Sequence, residues 1–490
     1  MTASQRTSWQ LGQLFGAAVP ARWQALAVAG LAIDSRAVAE GDVFIALPGS
    51  QGHGIQHAAA AARQGAVAIL YAPHPSLVAL TATEVPTIAV DDLARLTGIA
   101  AARMAGEPAS RLQVAAVTGT NGKTTVSRLI AGATRHCALS GTLGYGFPDS
   151  LTQSALTTPD ALTLQQRLAQ MVDAGATHLA MEVSSHALVQ QRVAGMQFDT
   201  AVFTNLTRDH LDYHQTMTAY FDAKATLFEW PGLRRRICNI DDDYGLTLAQ
   251  RFDNVLTVGR DLSRNPDLAI TAIEAQAAGM RVRLRWRDEE TTIESSLLGD
   301  FNATNLALAA AVMLGWEQDL QTACVALGRV RAVPGRMEVF GGHGKPLVVV
   351  DYAHTPDALE NALRATREHC RGRLWVVFGC GGERDRGKRA VMGRVAVATA
   401  DRVVVTDDNP RNEDRQQIID DILDGTGSGE HISAQPGRRE AIAATIAAAA
   451  PGDVVLLAGK GHEDYQLIGG QRLALSDRDQ ALRLVGPSHE

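Results

Sequence analysis

The stretch Val114-Ala-Ala-Val-Thr-Gly-Thr-Asn-Gly-Lys-Thr-Thr125 decides the fold. It opens with a short apolar run, continues as a turn of glycine and small polar residues, and leads into the helix-like segment Val126 to Ala133. Strand, glycine-rich turn and helix start, in that order, describe a phosphate cradle. Such a turn aims backbone N–H groups and the positive end of a helix dipole at one point. Lys123 adds a cation, and Thr124 offers a hydroxyl to Mg²⁺. The loop departs from the usual glycine spacing, with Thr118 ahead of Gly119. The segment Gly119, Thr120, Asn121, Gly122, Lys123, Thr124 and Thr125 is therefore the expected site of a nucleoside triphosphate, with a plain glycine turn as the alternative.

Working outward, the chain reads as alternating strands and helices. Ahead of the loop lie the short apolar segments Val43–Leu47, Ala66–Leu70 and Thr87–Val90, with an alanine-rich helix from His57 to Gln64 between the first two. Gly106-Glu-Pro-Ala-Ser reads as a linker. Beyond it, Val114–Val117, His178–Glu182 and Ala201–Asn205 alternate with helical segments such as Ala161 to Asp173, which predicts a mostly parallel sheet. A second break falls at Arg331-Ala-Val-Pro-Gly335. After it, Leu347–Asp351, Leu374–Phe378, Arg402–Thr406 and Asp453–Ala458 are continuous apolar runs of the kind buried on both faces of a Rossmann-like sheet. The expectation is an α/β protein of three domains: a small mixed domain over 1–106, a P-loop ATPase-like domain over 107–334, and a Rossmann-like domain over 335–490. The 490 residues agree with that count at about 150 residues per domain.

Composition narrows the function classes. A net charge of −7 and a pI near 6.1 argue against a general nucleic-acid binder. The five cysteines, at 137, 238, 324, 370 and 380, show no CxxC or zinc spacing and read as reduced thiols. The first residues lack an apolar signal core, and no run approaches the ~18 apolar residues of a membrane span. A cytoplasmic protein with small-molecule partners is expected, as a monomer, with no nucleic acid and no membrane insertion.

The loop Thr118-Gly-Thr-Asn-Gly-Lys-Thr-Thr125 resembles the ATP loop of the Mur ligases and of the related folylpolyglutamate synthetases. Further similar motifs follow in order: Glu182-Val-Ser-Ser-His186, Asn205-Leu-Thr-Arg-Asp-His-Leu-Asp-Tyr-His214, Asp351-Tyr-Ala-His-Thr-Pro356 and Asp408-Asn-Pro-Arg411. The resemblance spans nearly the whole chain. It implies an enzyme that uses ATP and Mg²⁺ to join a carboxylate to an amine in the synthesis of peptidoglycan precursors. An unactivated carboxylate is a poor electrophile, so the implied route runs through an acyl phosphate, and every step shifts negative charge between oxygens.

Residue by residue, the resemblance implies Lys123, Glu182, His210 and Lys224 as the catalytic set, with Thr124, Glu182, His210 and a CO₂-carbamylated Lys224 on the metal side. Read alone, Glu182 is a solvated strand-end carboxylate, His210 a polar loop residue, and Lys224 a solvated charge on an amphipathic helix. Asn302, Arg336 and Asp351 resemble residues that reach the adenine, phosphates and ribose; Asn302 reads equally well as a cap of the helix Ala303 to Leu314. Pro334-Gly335 is a natural hinge for closure over a hydrolysable intermediate.

For a UDP-muramoyl-dipeptide substrate, Asp34-Ser-Arg36 is similar to the family's nucleotide-contacting segment, which implies Ser35 and Ile33, with Ser50, Gln51 and Gly52 adding backbone contacts. Thr157, Thr158, Ser184, Gln190 and Arg192 match positions that hold the muramoyl peptide. Leu156 stands where the family often has Asn. Read alone, Thr157-Thr158-Pro159 is a turn before a helix, and Arg192 a solvated charge.

Asp408, Asn409, Pro410 and Arg411 are similar to the tetrapeptide of diaminopimelate-adding members; lysine-adding members differ at the Arg411 position. Diaminopimelate carries a distal carboxylate that lysine lacks, and Arg411 with Arg384 suits it. Glu463 and the close-approach Gly459 complete the implied amino-acid site. Arg384 has the alternative of a structural ion pair with Asp385. Lysine addition, folylpolyglutamate synthesis and a non-catalytic nucleotide-binding protein stay open as alternatives. Arg411 weighs against the first, the N-terminal domain with Asp34-Ser-Arg36 against the second, and the intact catalytic set against the third.

Overall fold

The computed structural model describes residues 8–49, 52–75, 83–154, 156–276, 279–331, 333–342 and 344–487. The chain forms two compact units: Met1–Ala116 with His136–Asp199 and Thr226–Arg234, and Val117–Arg135 with Thr200–Ala225 and Arg235–Glu490. The fold class is α/β, as the sequence leads one to expect.

In the first unit, four parallel strands lie in the order Gly30–Ala32, Asp42–Ala46, Ala68–Tyr71, Thr87–Ala89. Side chains alternate across such a strand. Val43 and Ile45 accordingly pack with Leu11, Leu14 and Phe15, and Phe44 and Ala46 pack on the other face with Ile55, Ala58 and Ala61. The predicted alanine-rich helix is Ala58–Arg63, and the Gly106 linker contains the short 3₁₀ turn Pro108–Arg111. The same unit pairs Cys137–Gly141 in parallel with His178–Glu182. Helix Ala161–Asp173 begins where Asp160 accepts the Thr163 N–H at 3.0 Å, the usual side-chain cap of an N-terminus.

In the second unit, Thr200–Phe203, Arg235–Asn239, Val255–Gly259 and Leu268–Gln276 run parallel, each paired with the next. Two strands absent from the sequence reading, Gly279–Trp286 and Glu289–Ser295, extend this sheet antiparallel. They carry polar residues on one face and apolar Val282, Leu284 and Ile293 on the other, so half of their pattern resembles exposed loop. Helix Phe301–Gly315 is buried along nearly its whole length.

A separate six-stranded sheet follows, in the order Glu338–Gly341, Leu347–Asp351, Val454–Ala458, Leu374–Phe378, Arg402–Val405, Ile432–Ala434, parallel except at its first edge. Val349, Val376, Val403 and Leu456 face helices carrying Leu359, Leu363, Met392 and Ile418; Val348, Val377, Val404 and Val455 face Ile442, Ile446 and Ala481. Helices cover both faces, which is why these strands read as unbroken apolar runs. The five cysteines are free thiols, and all but Cys370 are buried. Among the described residues no helix is long and apolar enough to cross a membrane.

Candidate active site

The glycine-rich loop joins strand Gln113–Thr118 to helix Lys123–Ala133. Gly119 has φ +148, and a Cβ there would lie 1.9 Å from Thr204 Oγ1; Gly122 has φ +85, and a Cβ would lie 2.6 Å from Asn305 Oδ1. Only glycine permits both the backbone angles and the close approach. The loop is braced from outside itself. Thr120 N donates to Asn205 O at 2.8 Å, Asn121 N donates to Asn205 Oδ1 at 2.9 Å, and Thr204 Oγ1 donates to Asn121 O. Lys123 folds back so that Nζ donates to the Gly119 and Thr120 carbonyls, each at 2.9 Å.

A cavity of about 160 Å³ beside the loop gathers Asn121, Gly122, Thr125, Asn302, Arg336 and Asp351. Arg336 Nη2 donates to Thr124 Oγ1 at 3.1 Å, and the guanidinium stands 4.4 Å from the Tyr352 ring centre. Burial raises the Asp351 pKa, partly offset by Arg336, and Asp351 accepts the Met337 N–H at 2.8 Å. Asn302 is not a cap. Asp300 occupies that position, while Asn302 lies inside the helix, donating from Nδ2 to Leu298 O and accepting from Asn305 Nδ2, both at 2.8 Å.

Lys224 corrects the local reading most sharply. It is 1% exposed, on helix Met217–Ala225, which buries Tyr220, Phe221 and Ala223 as well. Its Nζ donates to Gly119 O at 2.8 Å and stands 4.6 Å from the Tyr220 ring centre. Burial, and then repulsion from Lys123, pulls its pKa well below the ordinary lysine value. His210 precedes the short helix Leu211–His214 with φ 54, and its ring approaches buried Asp209 at 3.4 Å. Asp209, which local reading passed over, also meets His354 at 3.5 Å and Lys388 at 3.9 Å. Burial alone would raise its pKa, but these groups hold it well below the usual carboxylate range. Its position inside Asn205–His214 was its only signal in the sequence.

In the first unit, Glu182 is 1% exposed. Oε1 accepts the Thr142 N–H at 2.7 Å and Oε2 the Thr142 hydroxyl at 3.2 Å, so it is not a solvated strand end. Thr157 Oγ1 lies 3.0 Å from Thr142 Oγ1, and Thr158 Oγ1 donates to Glu182 O at 2.9 Å. Ser184 N donates to Thr158 Oγ1, Arg192 Nη1 donates to Thr158 O at 3.0 Å, and Arg192 Nε donates to Gln190 Oε1 at 2.9 Å. These seven residues thus form one connected network. Thr157 and Thr158 do form a bend ahead of helix Ala161–Asp173, with Thr158 buried, whereas half-buried Arg192 is not the solvated charge that local reading offers.

Ile33 and Ser35 line a different, larger cavity of about 1110 Å³, together with Asp34, Arg36, His57, Asp160 and Thr163. Arg36 hydrogen bonds hold the Asp34 pKa down to about 2. Gly52 is exposed, at φ +151, in the two-residue strand Gly52–His53. Ser50 and Gln51 lie outside the described residues.

The last predicted group sits at the carboxyl ends of the second unit's parallel strands, where open α/β sheets present ligands. Asp408, Asn409 and Pro410 are buried, and Arg411 has φ 56. Arg411 Nη1 donates to Gly382 O at 2.8 Å. Burial and the neighbouring Arg384 guanidinium lower its pKa. A Cβ on Gly459 would lie 2.6 Å from Asp408 Oδ2. Glu463 Oε2 accepts from Asn409 Nδ2 at 2.9 Å. The ion pair Arg384–Asp385 does not form: Asp385 pairs with Arg208 at 3.2 Å and accepts the Gly387 N–H at 2.8 Å, while Arg384 Nη1 donates to Glu383 O. The loop is buttressed by the hairpin Tyr465–Ile468 and Gln471–Ala474, which sequence reading missed. Arg411 N donates to Leu467 O at 2.9 Å, and Gly469 N to Arg411 O at 2.7 Å.

Three family models match in sequence order: the Mur ligase family catalytic domain over residues 27–104, the Mur ligase middle domain over 117–313, and the Mur ligase glutamate ligase domain over 335–461. This chain belongs to the Mur ligase family. Among its relatives, the UDP-N-acetylmuramoyl-L-alanyl-D-glutamate–2,6-diaminopimelate ligase of Pseudomonas aeruginosa is 47% identical over 480 residues, 97% of this chain and 98% of the relative. The same ligase of Pseudomonas putida is 47% identical over 464 residues, 92% and 93% of the two chains. A solved structure of a ligase of that name superposes with a TM-score of 0.69 at 36% identity, over 98% of this chain and 99% of the other.

Proposed function

We infer that this chain is an ATP-dependent ligase that adds meso-2,6-diaminopimelate to UDP-N-acetylmuramoyl-L-alanyl-D-glutamate, giving ADP and phosphate, in the cytoplasmic synthesis of peptidoglycan precursors. The observation that carries the choice of amino acid is the pair of arginines over Gly381, where a Cβ would lie 2.9 Å from Arg411 Nη1 and 3.6 Å from Arg384 Cγ; burial, and then Arg384, lowers the Arg411 pKa. Two cations pressed together favour a carboxylate between them, and diaminopimelate brings one at its far end. Lysine would leave half-buried Arg411 without that partner. The three working regions are 1–106 for the nucleotide sugar, 107–334 for ATP and 335–490 for the amino acid.

Lys123, the loop N–H groups and Arg336 hold the transferring phosphates and balance the charge that gathers on them. Asn302 and Asp351 line the nucleoside end. Ile33, Ser35 and Gly52, with Ser50 and Gln51, bind the uridine diphosphate; Thr157, Thr158, Ser184, Gln190 and Arg192 orient the peptide. Asp408, Asn409, Pro410, Arg411, Arg384, Gly459 and Glu463 hold the incoming amino acid. Among the described residues no three His, Cys, Asp or Glu side chains form a ready metal cage. That suits Mg²⁺, which takes few protein ligands and is held largely by phosphates and water. Thr124, His210 and a carbamylated Lys224 would hold it. When bound, it neutralises phosphate charge. A buried lysine whose proton is lost easily is the chemistry carbamylation by CO₂ requires.

Phosphate release from ATP tests the reading, with the UDP-muramoyl dipeptide present and diaminopimelate, lysine or no amine added in turn. Release with diaminopimelate alone is expected. Equal use of lysine overturns the specificity assignment, and no release with any amine overturns the activity.

A further inference from the structure

Lys460 follows the close-approach Gly459 and is fully buried, at 0% exposure. Its Nζ donates to Asn409 Oδ1 at 3.2 Å and to Glu463 Oε2 at 2.8 Å. Asn409 Nδ2 donates to the same Glu463 oxygen at 2.9 Å, and Asn409 Oδ1 also accepts the Leu467 N–H at 3.0 Å. Asn409 Oδ1 therefore takes two donors and Nδ2 commits one N–H to Glu463, whose Oε2 also takes two donors, so Oε1 is the oxygen that can turn to a ligand. The Tyr465 ring centre lies 5.6 Å from the ammonium. Taking a lysine wholly out of water is costly unless its partners satisfy it, and here they come from two separate loops and the hairpin strand behind them.

We propose that Lys460 is a positioning residue for amino-acid specificity: its buried ammonium, together with Asn409, locks Glu463 into a rigid acceptor for the ammonium end of the incoming amino acid. The proposal rests on the diaminopimelate reading of this site. Without Lys460, Glu463 loses its fixed rotamer, and the site must order the carboxylate while it binds substrate, a cost that falls on binding rather than on phosphoryl transfer.

The test is steady-state kinetics on the full chain with Lys460→Met, Lys460→Gln, Glu463→Gln and the double variant Lys460→Met/Glu463→Gln. Lys460→Met is expected to raise the KM for diaminopimelate roughly ten- to a hundredfold, the range for a hydrogen bond to a charged group, with kcat and the KM for ATP within about twofold of wild type. Lys460→Gln, which keeps a donor, recovers part of the loss. The double variant is less than additive, because both changes act through one carboxylate. An unchanged diaminopimelate KM in folded Lys460→Met, or strict additivity, overturns the proposal while wild-type turnover leaves the ligase reading standing. Failure of both single lysine variants to fold assigns Lys460 to the core and overturns the proposal as well. Absence of diaminopimelate-dependent turnover in the wild type removes the reading itself.

Discussion

Lys224 and Lys460 are both buried in the second unit, at 1% and 0% exposure, and their surroundings differ in kind. Lys460 spends its ammonium on a carboxylate and an amide oxygen. Lys224 donates to the Gly119 carbonyl over a tyrosine face, with Lys123 as a repelling neighbour. One environment keeps a charge in place, and the other makes it expensive. Burial alone does not tell a structural cation from a reactive amine; the neighbours do.

The largest effect that sharpens this contrast is expected at Lys224. Lys224→Met should lower kcat by roughly 10²- to 10³-fold, the cost of losing a group aimed at developing charge, in contrast to the KM effect at Lys460. Labelled CO₂ should give a carbamate carbon resonance in the wild type that Lys224→Met lacks. A wild type with full activity and no carbamate, at depleted CO₂, would break the contrast.

Arg411→Ala comes next. On the proposed reading of the site it removes a cation for the distal carboxylate and should reduce the preference for diaminopimelate over lysine by roughly 10²-fold, read as the ratio of kcat/KM values. An unchanged ratio would make Asp408–Arg411 a turn without a role in specificity.

The pH dependence of stability gives a smaller effect of defined sign. The folded chain gives up the Lys224 proton well below the ordinary lysine value, whereas the unfolded chain keeps it up to about pH 10.4. Between those two pKa values the unfolded state binds more protons, so stability of CO₂-free enzyme rises with pH, by at most about 1.4 kcal/mol per pH unit. Below the folded pKa both states hold the proton and the destabilisation is fully present. Urea unfolding of wild type and Lys224→Met across this range checks it: the variant should lack that slope.

The smallest change is Tyr220→Leu. It removes the ring face beside the Lys224 ammonium, worth about 1 kcal/mol, so the amine should lose its proton more readily and take up CO₂ at lower pH. A shift toward higher pH would mean that the tyrosine acts mainly through burial.

The sequence by itself determined the parts governed by local rules. Helix Ala161–Asp173 and strand His178–Glu182 keep their predicted ends, because a capping aspartate and a continuous apolar run are short-range signals. The glycine turn between strand Gln113–Thr118 and helix Lys123–Ala133 was legible for the same reason, since Gly119 and Gly122 answer to backbone angles. The antiparallel strands Gly279–Trp286 and Glu289–Ser295 were not, because an exposed face dilutes their pattern with charge. Tertiary structure alone decided the fate of the charges. It buried Lys224, moved Asn302 from a cap into a cavity wall, gave Asp385 to Arg208 instead of Arg384, and joined Lys460 to Asn409 and Glu463. A side chain's solvent and partners come from residues far off in sequence, and no local period or spacing encodes them.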